Sequence, residues 1–382
     1  MALKNNRAAD FSRRGFLLTS AAMLACGRRR GTAFPGYAFV ANAEGHSLAI
    51  VDLSIFSVAR RIPLDAAPTE VIAHPEHTVV YVLTPANGTV AEVDGATLTV
   101  RRKLRLGATA VGMRLAPDSL SLWVLMGDPR QLVRVPLDRL AAAERIRLPA
   151  VPWDFDLGAT QAAVSFPDQG AIGVMPLTGR GPDRLISTGG DPRLVRFRFD
   201  GRQIVTGDQA GRRITICDTA AGKVVVHLPL PVEPANFCFK PDGGQLFVTG
   251  KGMDGVVIVN PYETEIGETM LAGRAPGAMA VCPQPEYLFV ASPQSGDVTV
   301  IEIGTRRVLA VLTVGQEPGF IAITPDSQYA LVLNHRSGDL AVIRIAAISQ
   351  RRNEAERRSR TAPLFTLIPV GSGPVSAAVR RV

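Results

Sequence analysis

The sequence of 382 residues predicts an all-β chain, a β-propeller of four-stranded antiparallel blades, eight in number, closed into a ring by its own C-terminal strand. Three observations carry this expectation. Short hydrophobic runs begin at Phe39, Tyr81, Trp123, Ala163, Ile204, Phe247, Phe289 and Leu331, spaced 40 to 43 residues apart. A turn signal keeps the same beat at Pro75-Glu76, Pro117-Asp118, Phe199-Asp200, Pro241-Asp242, Pro283-Gln284 and Pro325-Asp326. The 36 Gly and 28 Pro are scattered rather than clustered, as frequent tight turns require.

Each period divides into four strands. The hydrophobic run is followed by a turn with Gly, Asn or Asp, as in Asn87-Gly88 and Ser295-Gly296-Asp297. The next strand ends in a polar residue on the beat: Asp52, Asp94, Asp218, Asn260, Glu302. A third strand rich in Lys and Arg follows (Arg60-Arg61, Arg101-Arg102-Lys103, Arg306-Arg307), and its charge suits the outermost edge, where it discourages edge-to-edge pairing. A Gly/Pro loop such as Gly315 to Gly319 leads into the fourth strand, apolar and rich in small residues, which suits the crowded innermost position. The chain opens on a second strand (Tyr37 to Ala41) and ends on a first strand (Val375 to Arg380), so the last strand completes the first blade. Seven blades remain only if a degenerate repeat, 123–163 or 164–204, forms none.

The formal charge of +8 does not describe the repeat body. Residues 1–30 hold seven basic groups and one acidic, and Arg351 to Arg360 holds five Arg and two Glu. The remainder is near neutral, which argues against a nucleic-acid partner. The stretch 346–361 interrupts the repeat, and its Arg/Glu pairs four apart predict a short basic helix. Solvation alone accounts for such a helix; contact with anionic lipid or an acidic partner is the alternative.

Ser12-Arg13-Arg14-Gly15-Phe16-Leu17 resembles a twin-arginine export signal spanning residues 1–30, which implies a periplasmic or cell-envelope location. The apolar segment Phe16 to Cys26 is too short to cross a hydrocarbon core of about 30 Å. Met23-Leu24-Ala25-Cys26 resembles a degraded lipobox, making Cys26 a candidate for lipidation and for membrane-surface association. A cytosolic N-terminus with a chance Arg pair is the alternative. Cys217, Cys238 and Cys282 lie in apolar runs and read as small buried residues.

Phe39 to Asn42, Tyr81 to Thr84 and Phe247 to Gly250, with the glycine–proline and Pro-Asp elements of Gly315 to Asp326, resemble the YVTN family of β-propeller repeats over about 37–345 and 362–382. The resemblance implies surface-layer or periplasmic proteins. It is nearly silent on activity, since such propellers serve as scaffolds, binding domains, haem-binding domains of nitrite reductases, and lactonases.

No Cys-x-x-Cys-His, Gly-x-Ser-x-Gly, phosphate-binding loop or His-Glu-x-x-His occurs, so no catalytic residue, metal site or cofactor is assigned. His74 and His77 flank a Pro-Glu turn and read as exposed turn residues. Loops joining each outer strand to the next inner strand should surround the channel mouth. They present Asp65, Trp153, Asp154, Asp191, Arg193, Glu233, Asn236, Arg274 and Glu317, with His46 and His335 on neighbouring turns of the same face. Trp153-Asp154 pairs an aromatic face with a carboxylate, suited to stacking on and hydrogen bonding a ligand; a channel plug with a turn cap is the structural alternative. Arg193 and Arg274 could clamp an anion or balance the surrounding carboxylates. Because nearly all loops are short, the favoured reading is an exported, monomeric, non-enzymatic scaffold binding a protein, peptide or glycan at this mouth. The alternatives are a lactonase-like hydrolase using Asp154, Arg193, Glu233 and Arg274, and a haem-binding or redox propeller with His46 or His335 as axial ligand.

Overall fold

The computed structural model describes residues 33–178, 182, 184–348 and 362–381. The expected export segment, including Cys26, and most of the expected basic helix lie outside these residues. Where that helix was expected to begin, Ile345–Ala347 forms one 3-10 turn.

The described residues form 32 strands in eight antiparallel sheets of four. Blade 1 is built from β1 (Gly36–Asn42), β2 (Ser47–Asp52), β3 (Ser57–Pro63) and the last strand, β32 (Pro374–Arg381), in the order β3-β2-β1-β32. The ring is thus closed by the pairing of β32 with β1, in the register Tyr37↔Arg380, Phe39↔Ala378 and Ala41↔Ser376. The other blades open on inner strands β4 (Glu70–Ala73), β8 (Thr109–Leu115), β12 (Phe155–Leu157), β16 (Pro192–Phe197), β20 (Glu233–Phe239), β24 (Met279–Cys282) and β28 (Pro318–Ile323). The two degenerate repeats do form blades, though with short elements: β12 has three residues, and the outer strands Glu144–Arg147 and Arg184–Ser187 have four each.

The hydrophobic pattern explains the layering. The second strand of each blade lies between two neighbours within its sheet and packs on adjacent blades through both faces, so it is buried at nearly every position and mostly apolar. In β1 all residues but Tyr37 are buried. The outer strand meets solvent, and in β3 five of the seven residues are exposed. The buried apolar residues fall into eight clusters, one at each junction between neighbouring blades. The junction of blades 8 and 1, for example, joins Leu331, Leu333 and Val342 to Val40, Ala49 and Val51.

The periodic polar residues close turns. Asp52 accepts the Ser54 amide (2.8 Å), Asp94 the Thr97 amide (2.9 Å) and Asp218 the Ala221 amide (2.6 Å). The fourth residue of this turn adopts a left-handed conformation without being glycine: φ is 54° at Phe56, 56° at Leu98 and 61° at Arg306. A register shift follows in the outer strand, opposite Ile50/Val51 in blade 1 and opposite Glu92/Val93 in blade 2, which marks a bulge. On the turn from inner to second strand, Asp118, Asp200, Asp242 and Asp326 each accept the amide two residues on. In blade 2 Glu76 stands at that place, and His74, two residues before it, is buried, not exposed as its turn position suggested. Its Nδ1 accepts the Glu76 and His77 amides (3.1 and 3.0 Å), and its Nε2 reaches the Ser119 carbonyl of blade 3 at 3.0 Å, which covers the ring. His77 is exposed, as expected.

Candidate functional site

The loop after each outer strand pairs with the turn that follows the second strand, as Leu64 N–H does with His46 O and Leu230 N–H with Arg212 O. Both loop types therefore share one rim, the expected mouth face. Around that rim the charged residues are paired. Lys103 Nζ is 2.6 Å from Asp65, Arg193 Nε is 2.8 Å from Asp191, and Arg212 Nη2 is 3.0 Å from Glu233. His335 of blade 8 sits 3.8 Å from Glu317 and 3.9 Å from Glu44 of blade 1. Glu44 and His46 belong to the same turn, so His46 and His335 do share one segment of the rim. Arg336 approaches Glu317 at 3.8 Å. The Arg274 backbone donates to Ser295 Oγ at 3.2 Å.

Trp153 stands apart from this pattern. Its residue surface is 51% exposed, and the Arg193 guanidinium lies 4.0 Å from its ring centroid. Arg193 is in turn fixed by Asp191, whose backbone N–H is held by Asp208 at 3.0 Å. An aromatic face backed by a cation that a carboxylate orients is a rigid, amphipathic contact element.

Asp154, although adjacent, is on the channel wall below the rim. An inner strand has no further strand on its channel side, so its outward amides need acceptors from elsewhere. Side chains of the preceding blade supply them. Glu70 accepts Met113 N–H (2.6 Å), Asp154 accepts Val195 N–H (3.1 Å), Asp156 accepts Phe197 N–H (2.8 Å) and Ser376 Oγ accepts Val71 N–H (3.3 Å). Two arginines join the carboxylates into a chain across blades 2 to 5. Arg114 is 3.5 Å from Glu70 and 3.4 Å from Asp154, and Arg196 is 2.5 Å from Asp154. Burial pushes the carboxyls of Glu70 and Asp156 above their ordinary pKa values, with Arg114 and Arg196 respectively opposing it. Burial also works against the charge on Arg196, but Asp154 and Asp156 outweigh it and hold that pKa above its usual value. Asn236 likewise lies on an inner strand, β20.

The sequence reading missed Glu70, Arg114, Asp156 and Arg196. A signal existed: the position of Arg114, Asp156 and Arg196 is filled in the other blades by Ile72, Cys238, Ala280, Ala322 and Ala378. Cys217 and Cys282 are buried as expected, and Cys238 is half-buried on its inner strand; burial pushes the thiols of Cys217 and Cys238 up to about 12 and about 11.

No protein-family model matches the chain, and no curated protein does. Among solved structures it is similar to the dihydro-heme d1 dehydrogenase NirN in complex with DHE, with 15% identity and a TM-score of 0.72 over 94% of this chain and 78% of that one. It is also similar to hydrazine synthase of Kuenenia stuttgartiensis, with 18% identity and a TM-score of 0.59 over 73% of this chain and 96% of that one. A functionally unknown protein from Desulfotomaculum acetoxidans matches with 13% identity and a TM-score of 0.59 over 72% of this chain and 95% of that one. At such identities the likeness establishes the propeller fold and nothing finer.

Proposed function

We propose that this protein is an exported propeller with repeats of the YVTN kind, which binds a protein, peptide or glycan at the mouth face and carries out no chemistry there. The observation that carries the reading is the half-exposed Trp153 stacked under Arg193 at a rim where most other charges are paired with one another. Aromatic residues and arginine with this partial burial are the residues that dominate binding energy at interfaces. The carboxylates a lactonase-like reaction would use are already engaged, Asp154 by Arg114 and Arg196 and Glu233 by Arg212, which supports the binding reading. Export rests on Arg13-Arg14 and the short apolar segment after them, and attachment to a membrane surface on Cys26 or on the basic segment from Arg351 to Arg360.

Trp153 supplies its own assay. The other tryptophan, Trp123, is buried in the junction of blades 3 and 4, so added quencher should reach Trp153 almost alone. Proteins captured from the envelope of the native host should shield Trp153 from acrylamide, and Trp153→Ala should weaken capture by tenfold or more, about 1.4 kcal/mol. An unchanged partner set with the variant would overturn the mouth assignment.

A further inference from the structure

The eight blades serve as internal controls for one another, and at one structural position blades 2 and 3 together depart from the other six. In the strand next to the outer one, the residue paired with the equivalent apolar position of its inner neighbour reads Phe39↔Ile50, Tyr81↔Glu92, Trp123↔Arg134, Ala163↔Val174, Val205↔Ile216, Phe247↔Ile258, Phe289↔Val300 and Leu331↔Val342. Six blades place a buried Ile or Val there. Blade 2 places Glu92 and blade 3 places Arg134. Of the partners, Tyr81 alone carries a hydroxyl, where Phe stands in three other blades. A buried carboxylate in place of isoleucine costs stability unless it is fully paired, so packing alone does not favour these exchanges.

All three residues line one cleft of about 740 Å³, between blades 2 and 3 on the face opposite the mouth. Glu92 builds its wall. It accepts two hydrogen bonds from Arg102 (3.0 and 2.5 Å), and Arg102 also donates to the carbonyls of Leu137 (3.0 Å) and Asp138 (3.1 Å), pinning blade 3 against blade 2. The phenol of Tyr81 lies beneath: the residue is 3% exposed and lines the cleft. Burial pushes its pKa up to about 12, so it remains a proton donor at neutral pH. Above it the cleft is cationic. Arg101 is 52% exposed and only loosely held, 3.8 Å from Glu92 and 3.7 Å from Asp94. Arg139 is exposed, and Arg134 spends Nη1 on Glu144 at 3.1 Å. Leu120 and Leu137 add apolar surface, and the exposed His77 ring stacks on His74 with centroids 4.5 Å apart.

We propose that this cleft is a binding site for a small organic anion, a carboxylate or phosphate carried on a compact apolar body. The anion meets Arg101 and the neighbouring guanidiniums, the apolar body packs on Leu120 and Leu137, and the Tyr81 hydroxyl donates to an acceptor on the ligand. A phenol lining a cleft with convergent cations and apolar walls is the arrangement expected of a preformed small-molecule pocket. The proposal is independent of the mouth, which lies on the other face.

Phenyl phosphate and benzoate should be titrated separately into the purified protein by calorimetry, with inorganic phosphate as the headgroup alone. At least one of the aromatic anions is expected to bind with Kd below about 1 mM and more tightly than inorganic phosphate. Tyr81→Phe restores the residue found at this position in blades 1, 6 and 7 and should fold normally; it should weaken binding by about tenfold, the loss of one hydrogen bond. Arg101→Gln, on the surface, should weaken it by a similar factor. Absence of binding by both aromatic anions, or binding that neither variant weakens, would overturn the proposal.

Discussion

Replacing Asp154 by alanine tests whether the channel chain is part of the frame. Its carboxylate is 15% exposed and holds three groups at once: Val195 N–H at 3.1 Å, Arg196 at 2.5 Å and Arg114 at 3.4 Å. Breaking a fully buried ion pair by removing one partner costs about 3–5 kcal/mol. Here the loss is smaller, because Arg196 keeps 27% of its side-chain surface exposed and retains Asp156 nearby. Halving the figure on that account gives about 2 kcal/mol for the charge. The stranded Val195 amide adds about 1 kcal/mol. Asp154→Ala should therefore destabilise by about 3 kcal/mol in urea unfolding. Asp154→Asn keeps an acceptor for the amide and should cost about 2 kcal/mol. Trp153→Ala, one residue away but on the exposed rim, should stay within about 0.5 kcal/mol of the parent. A loss below about 0.5 kcal/mol for Asp154→Ala would refute the reasoning and return Asp154 to the list of candidate ligand contacts.

The two raised carboxyls make a signed prediction about pH. Because the folded pKa of Glu70 and of Asp156 lies above the ordinary values of 4.5 and 3.8, the native state holds these protons to higher pH than the unfolded chain does. Their contribution to stability is greatest in acid and declines as pH rises through those values toward the folded ones. The variant Glu70→Gln/Asp156→Asn lacks this decline, so its stability relative to the parent should improve as pH rises through the ordinary carboxylate range and above; a change in the opposite direction would contradict the assignment. Ring closure can be tested at Gly36, where an added Cβ would sit 2.2 Å from the Arg380 carbonyl oxygen and 2.6 Å from the Phe34 ring. Gly36→Ala should cost about 2–3 kcal/mol, whereas Gly304→Ala, with nothing within 4 Å of the added Cβ, should be neutral or slightly stabilising; equal effects at the two sites would argue against the β1–β32 closure.

The legible part of the fold is the part whose physics is local. Asp52, Asp94 and Asp218 accept amides two or three residues on, and Asp118, Asp200, Asp242 and Asp326 do the same at the opposite face, so each turn is written within four consecutive residues. Strung between such turns, continuous apolar runs have few choices but the interior strands of a sheet. Closure by β32 is long-range, yet it followed from counting, because a chain that opens on a second strand and ends on a first leaves a single complementary pairing. Most of the rim followed from the same geometry: Asp65, Trp153, Asp191, Arg274, Glu317, His46 and His335 belong to loops whose side of the ring is set by strand order, while the expected loop residues Arg193 and Glu233 are instead at the starts of inner strands β16 and β20.

What sequence could not supply was the identity of neighbours across blades. Asp154 touches residues about forty positions away on each side, Arg114 and Arg196, and Glu92 is matched to blade 3 through Arg102. His74 shows the same limit, since its turn is local but the carbonyl that covers it belongs to Ser119 of the next blade. The sequence by itself determined the repeat and the closure, because turn hydrogen bonds and continuous apolar runs act over a few residues; that both degenerate repeats form blades, making eight, was decided by the structure. Only the tertiary structure decided which charges meet in the channel and which residues line the cleft between blades 2 and 3, because those contacts depend on how neighbouring sheets twist against one another around the ring.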